Sequence, residues 1–297
     1  MQYHDIAYRS RYETMNTGSM KQAAVLNDLS GAGNCSLTAA LPVLAALGVQ
    51  AYPLPTAVLS AQTGFPGYHM RDLTEEIAPI SDHWAALGLE FDAIMTGYVA
   101  SEAQAARTEE FLNRFRKPGT LVLVDPVMGD GGQLYAGFTP ARCAAVAALV
   151  RRATVTTPNL TEACCLVGAD YARVTEGPAR TVPERAAEIA RRVAAMGPQT
   201  VVITGVHCAD RICNVLLDDG QTDCVYAPAI GGSWSGTGDL FAAVLCGCLV
   251  QGMPALQAVQ LAADFICAAL TDTAPGTDRN CGTAFVKHLH LLWEATA

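Results

Sequence analysis

A chain of 297 residues, 51% hydrophobic and only 16% charged, can hold one large α/β domain with a full core or two small domains, and the apolar bias favours the first. Nineteen Lys and Arg against 28 Asp and Glu leave a net charge of −9. That balance excludes an extended footprint for nucleic acid or anionic membrane as partners, though not a local patch.

The first 20 residues carry Tyr, Arg, His and Glu without a clear period. They lack the apolar run of a secretory signal and read as a loose extension before a domain over 21–297, with Met20 as a second candidate start. From Gln22 onward short apolar runs alternate with longer helical ones, the pattern of repeated βα units. Gln22 to Asn27 reads as the first strand, Asp28 to Asn34 as a tight loop, and Ser36 to Leu47 as a helix with Pro42 in its early turns. Val49 to Phe65 holds a second strand and a Gly/Pro-punctuated loop. Phe91 to Thr96 is a strand followed by a helix through Arg116. Thr120 to Val124, apolar on nearly every residue, suits a strand covered on both faces. The turn-rich stretch Asp125 to Gly132 follows it. Thr154 to Thr157 ends in Pro158-Asn159-Leu160-Thr161-Glu162, and Thr200 to Thr204 ends in Gly205. Arg211 to Leu217 and Asp223 to Ala227 pair as a hairpin around Asp219-Gly220. Three helices finish the chain, from Gly238, Ala255 and Thr283. The expected fold is α/β, a mainly parallel sheet with helices on both faces.

Leu240 to Val250 is the longest apolar run and falls short of the roughly 20 residues that span a bilayer, so it reads as a buried helix. The eleven cysteines show no paired C-x-x-C spacing and lie in apolar segments, which suits reduced thiols in a cytoplasmic protein.

Polar and glycine-rich segments follow at least five of the strands, and ligands of open parallel sheets bind beyond the carboxyl ends. The strongest of these segments runs from Gly231 to Ala243. Its small residues admit an anion close to the backbone, and the helix that starts there turns free N–H groups and a positive dipole end toward it. Asp239 in Gly236-Thr237-Gly238-Asp239 opposes anion binding unless it has a task, such as taking a proton from an attacking hydroxyl. It would equally serve as a helix cap, and taken alone the two readings stay open. The three lysines, Lys21, Lys117 and Lys287, do not follow a glycine, which excludes an ordinary Walker A loop. Phosphate charge would then be met by helix N-termini, scattered arginines and a metal, which calls for acidic residues to hold the metal. Asp125, Asp130 and Glu162 are candidate holders, against plainer roles for Asp130 in a turn and Glu162 in a first helical turn.

Taken together these segments resemble known enzymes. Gly236-Thr237-Gly238-Asp239 resembles the anion hole and catalytic base of ribokinase-like kinases. Asp125-Pro126-Val127-Met128-Gly129-Asp130 and Thr157-Pro158-Asn159-Leu160-Thr161-Glu162 are similar to the pyridoxal kinase and hydroxymethylpyrimidine kinase branch. The resemblance covers about Gln22 to Leu270. It implies that Asp239 deprotonates a primary hydroxyl while Gly236, Thr237 and Gly238 hold the γ-phosphate. It further implies that Asp125, Asp130, Asn159 and Glu162 organise Mg2+ and its waters, that Thr157 and Thr204 touch ATP phosphates, and that Asp28, Ser30, Thr56 and Tyr98 line the substrate site. ATP and Mg2+ are the implied cofactors, a monovalent cation an optional one, a B6 vitamer the substrate, and a homodimer the implied assembly.

Tyr98, in Gly97-Tyr98-Val99-Ala100-Ser101, resembles the Gly-Tyr-x-x-Ser segment of pyridoxal kinases. The loop from Asn27 to Asn34 is shorter than theirs and is similar to that of hydroxymethylpyrimidine kinases. Asp28 is placed to pair with a protonated pyridine or amine, which would favour pyridoxamine. The Asp-Thr pair preceding the anion hole of sugar kinases is replaced by Ser233-Trp234-Ser235, which argues against a sugar. The leading reading is a pyridoxal/pyridoxamine kinase. A hydroxymethylpyrimidine kinase and a non-catalytic pyridoxal phosphate-binding protein are the alternatives.

Overall fold

The structure is a computed structural model that describes residues 20–296. The extension expected over residues 1–20 lies, Met20 apart, outside the described residues.

Six strands run parallel: β1 (Lys21–Ser30), β2 (Val49–Leu59), β4 (Ala93–Thr96), β5 (Leu121–Val124), β8 (Val155–Thr156) and β9 (Thr200–Cys208). Antiparallel β3 (Met70–Asp72) closes one edge. The hairpin of β10 (Arg211–Asp218) and β11 (Gln221–Pro228) closes the other, giving the order β11-β10-β9-β8-β5-β4-β1-β2-β3. Strand alternation explains why the central segments are apolar throughout. Ala23, Val25 and Met95 point into one core with α1 (Ser36–Ala46), α8 (Thr237–Val250) and α9 (Ala255–Thr271). Their neighbours Ala24, Leu26 and Ile94 point into the opposite core. That second core is built with α2 (Ile77–Ala86), α3 (Glu102–Phe115), α4 (Pro140–Val150), α5 (Leu160–Val167), the short α6 (Tyr171–Thr175) and α7 (Val182–Ala194). The expected sheet flanked by helices on both faces is the observed fold.

Helix starts follow the sequence closely. Ser101 accepts from the Gln104 N–H to cap α3, and Thr139 from the Arg142 N–H to cap α4. Asn159 and Glu162 form a reciprocal capping box at α5.

Differences from the expected elements have local causes. β1 continues through Asp28 to Ser30, where a loop is expected, because pairing with β2 resumes beyond an irregularity at Asn27/Leu29 and carries on to Ser30 opposite Leu59. β9 runs past Gly205 to Cys208 because β10 keeps pairing with it. The bulge there turns the Asn214 Oδ1 onto the Gly205 N–H at 3.1 Å. Within the turn-rich stretch, Gly129–Asp130 (β6) pairs with Gln133–Leu134 (β7) as a small flap. The last helix, α10 (Leu289–Thr296), starts later than Thr283, after a single 3₁₀ turn over Phe285–His288.

Candidate active site

The six parallel strands end on one edge, and a cleft of about 1210 Å³ runs along it. One end is lined by Asp28, Ser30, Leu59, Gln62, Tyr68 and Tyr98. The other is lined by Thr204, Val206, Ala227, Ala263, Ile266 and Leu270, a largely apolar slot between the β9–β11 edge and α9. Between the two lie Asp125, Thr157, Asn159, Glu162 and the start of α8. Thirteen of the fourteen predicted site residues thus meet in one cavity. Thr56 does not: it is 2% exposed within β2, its carbonyl accepts from the Gln104 side chain and the Leu73 N–H, and it does not line the cleft. Its expected part in the substrate site is corrected accordingly. The β1/β2 irregularity lies beside it, and side-chain direction past such a shift is not readable from sequence.

Asp239 occupies the third position of α8, and its hydrogen bonds reach another part of the chain. Oδ1 accepts from Asn27 Nδ2 at 3.1 Å, and the Ser36 backbone N–H also donates to the carboxylate. The plainer role, a cap for its own helix, therefore does not describe its contacts. Burial raises its pKa to about 6, aided by the nearby charge of Asp28 and opposed by the bonds from Ser36 and Asn27. A carboxylate tuned toward neutrality is better matched to proton abstraction than one near pH 4.

Gly236 caps α8 with φ 82°, and a Cβ there would overlap the Asn34 carbonyl oxygen, so the anion loop and the first substrate loop are packed backbone to backbone. Gly236, Thr237 and Gly238 at the start of α8 line the cleft; the Thr237 N–H donates to the Trp234 carbonyl at 3.5 Å, and the N–H groups just after it lack intrahelical partners, as every helix start leaves them.

Asp28 lines the cleft with both oxygens already engaged. Ser36 Oγ donates to Oδ1 at 2.6 Å and Ser30 Oγ to Oδ2 at 2.8 Å, while burial pushes its pKa up. Ser36 itself has φ 51°, a strained conformation for serine that is held by these bonds.

The acidic wall is built from three carboxylates of unlike character. Asp125 is 7% exposed, accepts from Thr157 Oγ1 at 3.1 Å, and is pushed up to about 7 by burial and then by the charge of Asp239. Glu162, also buried, accepts from the backbone N–H groups of Met128 and Asn159, each at 2.9 Å. Burial and the Asp125 charge push its pKa well up. Asp130 is exposed and accepts from the Gly131 N–H and, at 3.2 Å, from Ser233 Oγ. Among the described residues no group of three or more His, Cys, Asp and Glu is close enough to cage a bare metal ion. Two buried acids and an exposed one, none of them ion-paired with a Lys or Arg among the described residues, nonetheless fit a hydrated divalent cation, the form in which Mg2+ meets one or two carboxylates beside phosphates.

Several contributors have no motif in the sequence. Asn27 connects both halves of the site, its Oδ1 accepting from the N–H groups of Asp28 and Tyr98 while its Nδ2 donates to Asp239. Gly97 leaves room for it, since a Cβ at that position would collide with the Asn27 side chain. Arg142, 8% exposed, donates to the Val99 carbonyl and stands 5.1 Å from the Tyr98 ring centroid and 3.8 Å from that of Phe138. The segment Asp278–Gly282 folds across the cleft mouth, where Gln62 Nε2 donates to Asn280 Oδ1 at 2.9 Å. Asn27 stands next to Asp28 at the end of the first expected strand, which is a signal of sorts. For Arg142 and Arg279 local sequence offers none.

A parallel sheet whose carboxyl-end cleft holds a carboxylate at a glycine-rich helix start defines a phosphotransferase of the ribokinase-like fold. The chain belongs to the phosphomethylpyrimidine kinase family, whose model matches residues 28–283. A pyridoxine/pyridoxal/pyridoxamine kinase of Bordetella avium is 30% identical over 251 residues, 81% of each chain. A hydroxymethylpyrimidine/phosphomethylpyrimidine kinase of Rhizobium meliloti is 29% identical over 272 residues, 88% of this chain and 94% of its own. A Bacteroides thetaiotaomicron protein described as a phosphomethylpyrimidine kinase and crystallised with pyridoxal is 36% identical. It superposes with a TM-score of 0.86 over 92% of this chain and 96% of its own. No helix among the described residues is long and apolar enough to cross a membrane.

Proposed function

We propose that this chain is a Mg·ATP-dependent kinase that phosphorylates the 5′-hydroxymethyl group of a vitamin B6 vitamer. The observation that carries the reading is Asp239, raised to about 6 and aimed between an aromatic-lined pocket and the acidic wall by Asn27. In this reading the vitamer lies against Tyr98, Asp28 and Ser30, and ATP extends from the apolar slot past Thr204, Thr157 and Asn159. Asp239 takes the hydroxyl proton as the oxygen bonds to the γ-phosphorus, and the bond to the bridging β,γ-oxygen breaks to release ADP. The backbone around Gly236, Thr237 and Gly238 receives the charge on the transferring group. Asp125 would hold Mg2+ through water, with Asp130, Asn159 and Glu162 behind it, and the ion would neutralise phosphate charge. Most of the rate enhancement is then positioning.

The pyridine reading is supported by Tyr98 and by the 36%-identical Bacteroides protein crystallised with pyridoxal. The pyrimidine alternative is supported by the short first loop and by the Rhizobium relative's name. An ADP-release assay with Mg·ATP, offering pyridoxal, pyridoxamine, pyridoxine and hydroxymethylpyrimidine in parallel, tests it. Turnover of B6 vitamers is expected. Turnover of the pyrimidine alone would transfer the assignment to hydroxymethylpyrimidine, and binding of pyridoxal phosphate without turnover would make the chain a binding protein.

A further inference from the structure

Five carboxylates line the cleft, Asp28, Asp125, Asp130, Glu162 and Asp239, yet among the described residues only one Lys or Arg does: Arg279. It comes from a segment with no likeness to the motifs above, 40 positions beyond Asp239. Its backbone is fixed on two sides. The Arg279 carbonyl accepts from the Ser235 N–H at 3.2 Å, inside the anion loop, and the following Asn280 is bonded to Gln62 and Gly64 beside the substrate pocket. Cys281, two residues on, accepts from the Asn34 N–H at 3.2 Å. The guanidinium lies against the anion loop itself. Nη1 is 2.8 Å from where a Cβ at Gly232 would stand, and Cζ is 6.0 Å from the Trp234 ring centroid. Arg279 is exposed to the cleft and, among the described residues, forms no ion pair with a carboxylate.

We propose that Arg279 is the cationic ligand of the γ-phosphoryl group, delivered to the anion loop by the Asp278–Gly282 segment. The proposal rests on the phosphotransfer reading of the cleft. A triphosphate brought beside five acids needs more positive charge than one helix start supplies, and a guanidinium offers paired N–H donors that match phosphate oxygens. Its place on the rim, instead of within the β-strand framework, lets it follow the phosphoryl group as charge spreads over the equatorial oxygens. A side chain at Gly232 would crowd the guanidinium and displace it from this position.

The test separates this role from the identity of the phosphoryl acceptor. Calorimetric affinities of Mg·ATP and Mg·ADP are measured for the full chain and for Arg279→Met, which keeps the stem and removes the charge. Loss of a γ-phosphate contact weakens Mg·ATP about tenfold or more and Mg·ADP by less than about threefold. Equal losses for both nucleotides, or none, would overturn the proposal, whether or not any vitamer is turned over. With an acceptor that reacts, Arg279→Met loses about 10²-fold in kcat with an unchanged melting temperature, and Arg279→Lys recovers part of it. Guanidinium ion at non-denaturing concentration then raises the rate of Arg279→Ala but not that of Asp239→Asn. A kcat for Arg279→Met within threefold of the parent would also overturn the proposal.

Discussion

Replacing Asp239 by Asn separates the carboxylate's chemistry from its cost to the fold. In the parent protein Asp239 has its pKa raised from 3.8 to about 6, chiefly by burial. Well below pH 4 the group is protonated in both folded and unfolded chains and contributes no pH dependence. As pH rises toward 6 the unfolded chain releases the proton first, so stability falls. Above 6 the full penalty is present, about 3 kcal/mol at 1.36 kcal/mol per pKa unit and less with solvent screening in a part-exposed cleft. Asn removes the charge but has only one oxygen, so one of the donors from Asn27 and Ser36 loses its acceptor, at roughly 1–2 kcal/mol. The net expectation at pH 7.5 is a ligand-free variant as stable as the parent or about 1 kcal/mol more stable, with turnover down by 10² or more. Denaturant unfolding and the ADP-release assay measure the two effects side by side. A variant retaining over a tenth of the parent rate would remove Asp239 from the role of base. One destabilised by more than about 2 kcal/mol would show that the cleft does not penalise the charge.

The same shifts predict the pH behaviour of the whole site. Asp28, Asp125, Glu162 and Asp239 are all raised, so the ligand-free protein should melt higher at pH 5.5 than at pH 8, and added Mg2+ should stabilise it more at pH 8; the opposite order in both scans would contradict the buried acidic wall. The acid limb of kcat/KM is expected near pH 6, and Asn27→Ala should move it upward by removing a bond that favours the charged carboxylate. That variant also leaves the N–H groups of Asp28 and Tyr98 without their acceptor, so unfolding should show a loss of about 2 kcal/mol or more; unchanged stability and rate would make Asn27 incidental. Gly236→Ala should abolish turnover and cost at least about 1–3 kcal/mol from the left-handed backbone alone, with collision against Asn34 added; a fully active, stable Gly236→Ala would refute the close packing of the two loops.

Much of this molecule is legible from local pattern. The unbroken apolar runs at Ala23–Leu26 and Leu121–Val124 announce strands covered on both faces, because alternate residues enter different cores. Asn159 and Glu162, at capping-box spacing, announce the start of α5, and Gly236-Thr237-Gly238-Asp239 marks the anion site, since backbone geometry and helix ends depend on residues within a few positions. What the linear chain leaves undetermined is every relation that depends on register or on distant segments meeting. Whether Asp239 caps its helix or faces Asn27 was decided by packing α8 against α1 and the sheet, which brings together residues 212 positions apart. Thr56 is buried off the cleft where β1 and β2 change register, a shift set by pairing between strands and not by either strand alone. Arg279 reached the anion loop only because Ser235, Asn34 and Gln62 offered its segment partners from three other parts of the fold. Local sequence determined the elements and the chemistry available at their ends, and the tertiary structure alone decided which of those groups face one another, because side-chain encounters are fixed by long-range hydrogen bonds and core packing.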